Sequence, residues 1–499
     1  MTTPLRPALA IAAALTATLA LTTSAAPAAT AADSPLAANW TQTPVSGADH
    51  LPAGVTVTNW TEKNPTNDNR TRPRLLQLVE IDPTAAPLDL QSTIGAGDGL
   101  AETVADQLAG VSTTPTRHPV AGVNGGLFKS EPAHLKLKTT QRPLTLQHLG
   151  VSVTDGVLHS ASCYGAKGAG TNGAVIQYGV PYITRLRTEL IVQASDGTGP
   201  VPFDDINRDP GRARGCARDA KDQLVAEDQV NGQKGVYVDA NEIILFTSDY
   251  KYPVPKPDLD PYVTTDDDPG YEVVLDSTGK VTAARANRGG GKDTTTEVYV
   301  PSGGRILQGV GTGGTWLRDH ALLGSTLAVS QKLTDKRLGR EIPLDPSVDV
   351  VSSFHQLLRD GDIAPELVNT CGATGAGRDG TPICTDSRVA LGTNVRGHTV
   401  LVTLTGQLQA DNTTTHEDGA YLHAWGELLD SEELGIIDAL NLDGGGSATL
   451  ITAVADSNNL MTGTTVRTPA TDGPDGAYVY RPVADAVYAG ISGYGMYKK

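Results

Sequence analysis

The chain has 499 residues and a formal net charge of −17, with 39% hydrophobic and 19% charged residues, which is the composition of a globular protein. This acidity argues against a nucleic-acid partner, which needs clustered lysine and arginine, and against adsorption to an anionic membrane surface. The 55 glycines and 31 prolines indicate many turns and therefore many strands.

The N-terminus has the pattern of a secretory signal peptide. Arg6 supplies the basic residue, an apolar stretch runs from Ala8 to Leu21, and Ala29-Thr30-Ala31 fits a cleavage site. The apolar stretch is too short to span a membrane comfortably, and no later segment approaches that length. We therefore expect a signal peptide over 1–31, a flexible leader over 32–53 and a secreted, extracellular protein without a membrane span. A disordered tail is the alternative.

Residues 54–160 predict strands, one helix and a hairpin. "RLLQLVEID" indicates a strand, and "GLAETVADQLAG" has the apolar spacing of a helix. "HPVAGVNGGLF" indicates a buried strand that ends in a glycine turn. "LGVSVTDGVLHS" predicts a hairpin joined at Asp155-Gly156.

Residues 161–350 predict short strands and long polar loops. "YEVVLDSTGKVTAARA" indicates a hairpin, and "TTEVYVPSGGRILQGVG" indicates two strands about a Pro-Gly turn. The acidic run "TTDDDPG" is better explained as a solvated loop than as a metal site.

Residues 351–499 give the clearest pattern. "SRVALGTNVRGHTVLVTLTGQ" predicts two strands, and "GAYLHAWGELLDSEELG" predicts a helix. "IIDALNLDGGGSATLITA" then indicates a buried strand followed by an Asp-Gly loop. Together the three segments predict an α+β fold that is rich in antiparallel hairpins.

The four cysteines are even in number, which favours disulfides in an exported protein. Cys371 and Cys384 flank a glycine-rich loop that a bridge would hold, and Cys163 and Cys216 then pair by elimination. A zinc site is the alternative, but the chain has no CxxC spacing.

Asp443 and the three glycines after it interrupt two apolar runs. Successive N–H groups of Gly444, Gly445 and Gly446 could form a concave anion site, with one fixed carboxylate beside it and Ser447 following. A tight structural turn with a capping aspartate is the alternative.

Asn124 precedes Gly125 and Gly126 at the end of another buried strand, so this glycine turn could likewise belong to a ligand site. An ordinary Asn-Gly turn would explain it equally. Arg388 stands just before a strand, where its guanidinium could hold phosphate, or it could be a surface residue. The HExxH, GxSxG and GxxxxGK[ST] motifs are missing, so zincin, serine hydrolase and P-loop interpretations have no support.

In combination these motifs resemble the phosphodiester glycosidase family, which includes the phosphodiester α-N-acetylglucosaminidases. The resemblance rests on "AGVNGGLF", "LGVSVTDGVLHS", "SRVALG", "ALNLDGGGSATL" and "YRPVADAV", which occur in the family's order, and it extends from about Gly54 to Gly495. The middle segments "DDINR" and "YVPSGGRILQGVG" look like those of secreted bacterial members.

The resemblance implies a hydrolase that cleaves a sugar–O–phosphate diester at the anomeric carbon, with no cofactor. It implies a central sheet region flanked by helices. It places catalytic residues at Asp443, Asn124 and Arg388, and substrate-binding residues at Gly125, Gly126, Gly444, Gly445, Gly446, Ser447 and Arg481. The expected substrate is a sugar phosphodiester or a phosphate-containing glycan.

Three segments depart from the family pattern, and in one of them Glu417 precedes Asp418-Gly419 where a Ser-x-Gly turn is usual. Ser353, Phe354 and His355 replace glycine-like positions, while Thr405 and Gln407 stand where aspartate and arginine are usual. A second hypothesis follows from these changes: a non-catalytic secreted protein that binds cell-surface glycopolymer.

Overall fold

The computed structural model of the protein describes residues 35–43, 45, 51–63, 73–85, 88–112, 118–130, 146–165, 168–225, 235–257, 263–367, 387–405, 419–452 and 480–491. The predicted signal peptide, residues 32–34, 44 and 46–50 of the predicted leader, Gln407, Glu417 and both Cys371 and Cys384 lie outside these residues. No helix within the described ranges is both long enough and apolar enough to cross a membrane.

The described residues contain four short α-helices, of which the longest has ten residues. They span Pro35–Asn39 (α1), Val104–Ser112 (α2), Gly311–His320 (α3) and Leu422–Leu429 (α4).

Thirty strands, β1 to β30 in chain order, make up most of the regular structure in the same ranges. The first fifteen are Trp40–Thr43, Val55–Glu62, Leu75–Ile81, Leu88–Thr93, His118–Asn124, Phe128–Ser130, Leu146–His148, Ser152–Thr154, Val157–Ser160, Thr171–Gln177, Val180–Ala194, Val201–Pro202, Asp205–Ile206, Arg212–Arg214 and Gln223–Val225. The other fifteen are Val236–Val238, Ile243–Thr247, Tyr271–Leu275, Val281–Arg285, Arg305–Gly309, Leu327–Asp335, Arg340–Ile342, Val348–Ser353, Gln356–Arg359, Asp362–Ile363, Arg388–Asn394, Thr399–Thr405, Ile436–Asn441, Leu450–Thr452 and Ala486–Ile491.

These strands form three larger sheets and several smaller ones. The first eight-stranded sheet has the order β1-β2-β3-β27-β26-β28-β24-β25, so both ends of the chain contribute to it. The second has the order β22-β21-β11-β10-β23-β8-β9, with β12 added on β11. A five-stranded sheet (β13-β17-β20-β18-β19) and a four-stranded sheet (β29-β5-β30-β4) follow, with small sheets β14-β16-β15 and β6-β7. Among the described strands only β13 and β17 pair in parallel.

The predicted α+β class is wrong, because the fold is dominated by antiparallel strands and its helices are few and short. Both helices expected from apolar spacing exist, as α2 and α4, but each ends after two to three turns. Short apolar runs between glycine and aspartate turns recur along the described residues, and most of these runs form strands. The helices are therefore too few to form a layer that flanks the sheets.

The predicted hairpins are confirmed in three places. β8 pairs with β9 across Asp155 and Gly156, whose φ angles of 52° and 76° suit a tight two-residue hairpin turn. β18 pairs with β19, and β26 pairs with β27 across a turn at Gly397. The first strand expected in "TTEVYVPSGGRILQGVG" does not form. Val298 accepts one backbone hydrogen bond from Val254, and only Arg305–Gly309 joins a sheet.

One apolar core fixes the strand ends that carry the sequence motifs. It packs residues of the first eight-stranded sheet against the four-stranded sheet and against β10 and β23 of the second eight-stranded sheet. Its members include Val79, Leu401, Leu440, Val123, Leu450, Val487, Ile176 and Val351. Because each fully buried Val, Leu or Ile contributes about 1.5–3 kcal/mol, this core holds the ends of β5, β23 and β28 in place.

Candidate functional site

The loop 442–449 carries the chain from one sheet to another. β28 ends at Asn441 in the first eight-stranded sheet, and β29 begins at Leu450 in the four-stranded sheet. Gly445 has a φ of 60°, which favours glycine, and its N–H donates to Ser387 O at 2.9 Å. A Cβ on Gly444 would lie 2.4 Å from the same carbonyl oxygen. The change of sheet therefore explains why glycines stand here.

The Asn124 turn and the Asp443 loop form one unit. The buried Asn124 side chain donates from Nδ2 to Asp443 O at 2.7 Å and accepts at Oδ1 from Thr449 N at 3.0 Å. Asp443 N in turn donates to Gly125 O at 3.1 Å. The two glycine turns predicted separately from the sequence are thus brought into direct contact, with the Asp443 residue only partly buried.

Arg388 and Arg481 both flank this unit. Arg388 opens β26, its Nε donates to Ala420 O at 2.8 Å, and its Cα would lie 3.8 Å from a Cβ placed on Gly444. The Arg481 guanidinium lies against Gly446, where an added Cβ would be 2.4 Å from Nη2. Arg388, predicted to serve the phosphate, and Arg481, predicted to bind substrate, therefore both adjoin the loop.

Fewer backbone N–H groups of the loop are available to an anion than the three that the sequence predicts. Gly445 N is bonded to Ser387 O, so it does not face a ligand. Ser447 is fully buried, and its N–H donates to Gly444 O at 3.1 Å. Gly444 and Gly446 remain the candidates for backbone contacts to an anion, and a substrate contact by Ser447 stays a prediction.

His355, which the sequence marked only as a departure from the family pattern, lies beside the same unit. Its carbonyl oxygen accepts from Asn441 N at 3.0 Å. Burial and the nearby Arg388 charge hold the pKa of His355 below its usual range. A neutral imidazole, able to take up a proton, therefore borders the loop at neutral pH.

Three buried polar atoms in this neighbourhood have no hydrogen-bond partner among the described residues: Ser353 Oγ, Asn441 Oδ1 and Ser447 Oγ. An unsatisfied buried group of this kind costs about 1–3 kcal/mol. Such atoms are rare in a core and more common where a fold keeps polar groups for function.

The buried residue Asp485 accepts hydrogen bonds from the turn that follows Asn124. Asp485 accepts from Gly126 N at Oδ1 (2.8 Å) and from Gly125 N at its backbone oxygen (2.9 Å). A Cβ on Gly125 would lie 2.4 Å from Asp485 Oδ1, so this glycine is required by close approach. The sequence analysis missed Asp485, although it is the one charged residue among the apolar positions of "VADAVYAG".

A buried histidine completes this support. His148 Nδ1 lies 3.6 Å from Asp485 Oδ2, and Nε2 lies 3.2 Å from Asp98 Oδ1. Burial alone would lower the pKa of His148, but Asp98 and Asp485 raise it above its usual value. Burial raises the pKa of Asp485, while the interactions with His148 outweigh burial and lower that of Asp98. His148 and Asp98 were missed by the sequence analysis.

A group of three carboxylates lies elsewhere, on Asp204, Asp219 and Asp239, with ligand atoms within 4.8 Å of one another. Burial and the charge of Glu242 raise the pKa of Asp204 to about 8. A proton on Asp204 thus relieves part of the repulsion within this group.

The predicted bridge between Cys163 and Cys216 is present, with the two sulfurs 2.06 Å apart. It joins the segment after β9 to the segment after β14. The second predicted bridge concerns residues outside the described ranges and stays a prediction.

Comparison with solved structures shows the fold of the chain. A protein of Burkholderia pseudomallei, described only provisionally as exported, is 21% identical with a TM-score of 0.59, over 85% of this chain and 75% of that one. A hypothetical protein from Synechocystis is 17% identical with a TM-score of 0.52, over 89% of this chain and 64% of that one. None of the curated proteins matches the chain.

Two further findings concern the family. The catalytic domain of zebrafish N-acetylglucosamine-1-phosphodiester alpha-N-acetylglucosaminidase, auto-inhibited by its pro-peptide, is 13% identical over 90% of this chain and 87% of that one. Its TM-score of 0.35 is too low to support an argument. The family model described as phosphodiester glycosidase matches residues 271–489, which include Arg388, the Asp443 loop and Arg481. Residues 271–489 therefore belong to the phosphodiester glycosidase family, as the sequence motifs predict.

Proposed function

We propose that the protein is a hydrolase that cleaves sugar-1-phosphodiesters between the anomeric carbon and the phosphate oxygen. The observation that carries this proposal is the bond from Asn124 Nδ2 to Asp443 O, which joins the Asn124 turn to the family-matched loop. One carboxylate and two guanidinium groups thereby border a single loop. That set of groups suits a substrate with an electrophilic sugar carbon and an anionic leaving group.

The sugar side of the reaction is assigned to Asp443. Cleavage of an anomeric C–O bond builds positive charge on the sugar ring, which a nearby carboxylate stabilises or attacks. Asp443 is only partly buried, so a substrate can approach it. The N–H of Asp443 donates to Gly125 O, and its C=O accepts from Asn124 Nδ2. These two bonds fix the position of the Asp443 Cα.

The phosphate side is assigned to Arg388 and Arg481. A phosphate monoester is a good leaving group, so cationic donors matter more here than a general acid. Planar guanidinium groups match phosphate oxygens with paired hydrogen bonds. Gly444 and Gly446 add backbone surface that an anion can approach closely.

His355 is the candidate proton acceptor for the attacking water. Because its pKa is lowered by burial and by Arg388, its imidazole is neutral at the pH where a base is needed. His355 occupies a position that is glycine-like in the family, so its imidazole is an additional functional group in this site.

We further propose that the protein is exported. The N-terminal pattern predicts a signal peptide, the Cys163–Cys216 bridge suits an oxidising compartment, and one solved relative is described provisionally as exported. Mass spectrometry of the secreted chain should find a start near Ala32 and no free thiol. Free thiols at Cys371 and Cys384 would contradict the disulfide prediction.

The direct test is release of free sugar from a panel of glycosyl phosphodiesters, with the Asp443→Asn variant as the matched control. We expect release by the wild-type protein and a loss of release in the variant. Binding of these compounds without any release would favour the non-catalytic glycopolymer-binding hypothesis instead.

A further inference from the structure

Three arginines from different elements surround one carboxylate. Arg185 lies in β11, Arg337 follows β21 and Arg359 ends β24. Their Nη2 atoms all approach Glu366 Oε1, at 3.6 Å for Arg185, at 3.9 Å for Arg337 and in a shorter contact for Arg359. We name Arg185, Arg337 and Arg359 the arginine cluster.

The arginine cluster has more cations than direct carboxylate partners. Arg337 and Arg359 also share Gln356 Oε1, a neutral acceptor. Asp335 Oδ1 is occupied by Thr184 and by the backbone N–H groups of Arg337 and Leu338. Asp438, another nearby carboxylate, is half-buried, and burial raises its pKa although the charges of Arg337 and Arg359 oppose this rise.

Repulsion inside the arginine cluster is therefore only partly relieved. Burial lowers the pKa of Arg337, and Arg359 and Arg185 lower it further. The three side chains keep 33%, 28% and 29% of their surface exposed, so their guanidinium groups reach solvent. Exposed ion pairs add little stability, so this crowding is not explained by a structural role. A positive patch on a chain of net charge −17 attracts an anionic ligand.

The arginine cluster adjoins the candidate site. Gln356 follows His355 directly, and it pairs with Leu440 across β24 and β28. Leu440 stands three residues before Asp443. Gln356, which Arg337 and Arg359 contact, therefore pairs with the strand that leads into the Asp443 loop.

A cavity of about 500 Å³ extends from Arg185. Asn172, Tyr237 and Phe354 line it too. Asn172 accepts from Arg185 Nε at 3.3 Å and donates to Phe354 O at 3.0 Å, so the arginine is held at the cavity wall. A cavity of this size accepts a sugar-sized group, and Phe354 at its wall is 37% exposed.

We propose that the arginine cluster and this cavity form a second anion subsite, which binds a neighbouring phosphate of a repeating sugar–phosphate polymer. The inference rests on the proposed function, because it extends the same substrate past the bond that is cleaved. Because the arginine cluster contacts the strand pair that leads into the Asp443 loop, one polyanionic chain can contact both places. The substrate class is thereby narrowed from any glycosyl phosphodiester to a polyanionic one.

Two substrates test this proposal: a glycosyl phosphodiester with one phosphate, and an oligomer of the same unit with several. Arg337→Gln and Arg359→Gln should each raise KM for the oligomer by about tenfold and leave kcat and the KM of the single-phosphate substrate unchanged. Arg318→Gln is the control, because Arg318 is exposed and pairs only with its neighbour Asp319 in the described contacts. Equal effects on both substrates, or none, would overturn the subsite.

A binding measurement separates this proposal from the proposed function. Titration with tripolyphosphate should show salt-dependent binding that Arg337→Gln and Arg359→Gln weaken and Arg318→Gln preserves. Glu366→Gln removes the carboxylate that competes with phosphate, so it should tighten binding. If the protein hydrolyses neither substrate but shows these changes in binding, the proposed anion subsite is supported and the proposed hydrolase activity is refuted. Unchanged binding in Glu366→Gln together with unchanged binding in the arginine variants would refute the anion site.

Discussion

The side-chain amide of Asn124 donates to the backbone carbonyl of Asp443 at 2.7 Å, across a separation of 319 residues. This bond joins a strand of the four-stranded sheet to the loop that leaves the first eight-stranded sheet. Because the same side chain also accepts from Thr449 N, it fixes both ends of the Asp443 loop. The position of the candidate carboxylate therefore depends on a residue from the other half of the chain.

Asn124→Ala should destabilise the protein as well as reduce activity. The change leaves Asp443 O and Thr449 N without their side-chain partner in a buried place, at a cost of about 1–3 kcal/mol for each unsatisfied group. Urea unfolding followed by circular dichroism measures the loss. A free energy of unfolding within about 0.5 kcal/mol of wild type would show that this amide does not hold the two turns together.

Gly444→Ala should mainly reduce stability, whereas Gly446→Ala should mainly weaken substrate binding. A Cβ at 444 meets the backbone oxygen of Ser387, which cannot move aside, so we expect lower stability. A Cβ at 446 meets the mobile end of Arg481, so we expect near wild-type melting but a raised KM for phosphodiester substrates. Melting temperature and KM, measured side by side, check the pair. The reverse pattern would remove Arg481 from the phosphate site.

The pH profile of kcat/KM should have an acid limb from His355. If neutral His355 accepts the proton of water, activity falls as pH drops through its pKa, which burial and Arg388 place below the usual histidine value. His355→Gln should lower the plateau and remove that limb, while melting shows the variant folded. A limb that persists unchanged in folded His355→Gln would assign the base to another group.

His148 should stabilise the fold more at low pH than at high pH. Its pKa is raised in the folded protein by Asp98 and Asp485 against the effect of burial, with Arg218 opposing and His159 nearby. A histidine with a raised pKa contributes its full stability below its unfolded pKa and loses it as pH rises through the folded value. The difference in unfolding free energy between wild type and His148→Gln should therefore shrink as the pH rises from below the usual histidine pKa through the raised pKa of the folded protein. A difference that grows with pH would contradict the ion-pair assignment.

The sequence predicted the local elements better than the architecture. Asp155-Gly156 marked a hairpin turn correctly, because turn chemistry is local. Helix α3 was missed, since Gly313 and Gly314 lower its helix propensity and are needed for close contact with Glu242 O and Gly309 O. The class was wrong because strand pairing, such as β3 with β27, joins residues more than 300 positions apart.

The candidate site likewise contains residues that the sequence indicated and residues that only the structure reveals. Asn124, Arg388, Asp443 and Arg481 carried motif signals and come together in the structure. Their roles in a reaction stay predictions. Asp485 and His148 act on the site only through tertiary contacts with Gly126 and with each other, and no local pattern indicates such contacts. The occupation of Gly445 N by Ser387 O was likewise invisible in the loop sequence.

Turnover of a glycosyl phosphodiester by Asp443→Asn tests the central claim most directly. The variant keeps the shape and the backbone bonds to Asn124 and Gly125 but loses the side-chain charge. If that charge stabilises the developing positive sugar, kcat should fall by roughly 10²-fold or more, since each 1.4 kcal/mol is about tenfold. Circular dichroism and melting must show the variant folded. A folded Asp443→Asn protein with near wild-type turnover would contradict the account, and the carboxylate would then only shape the turn.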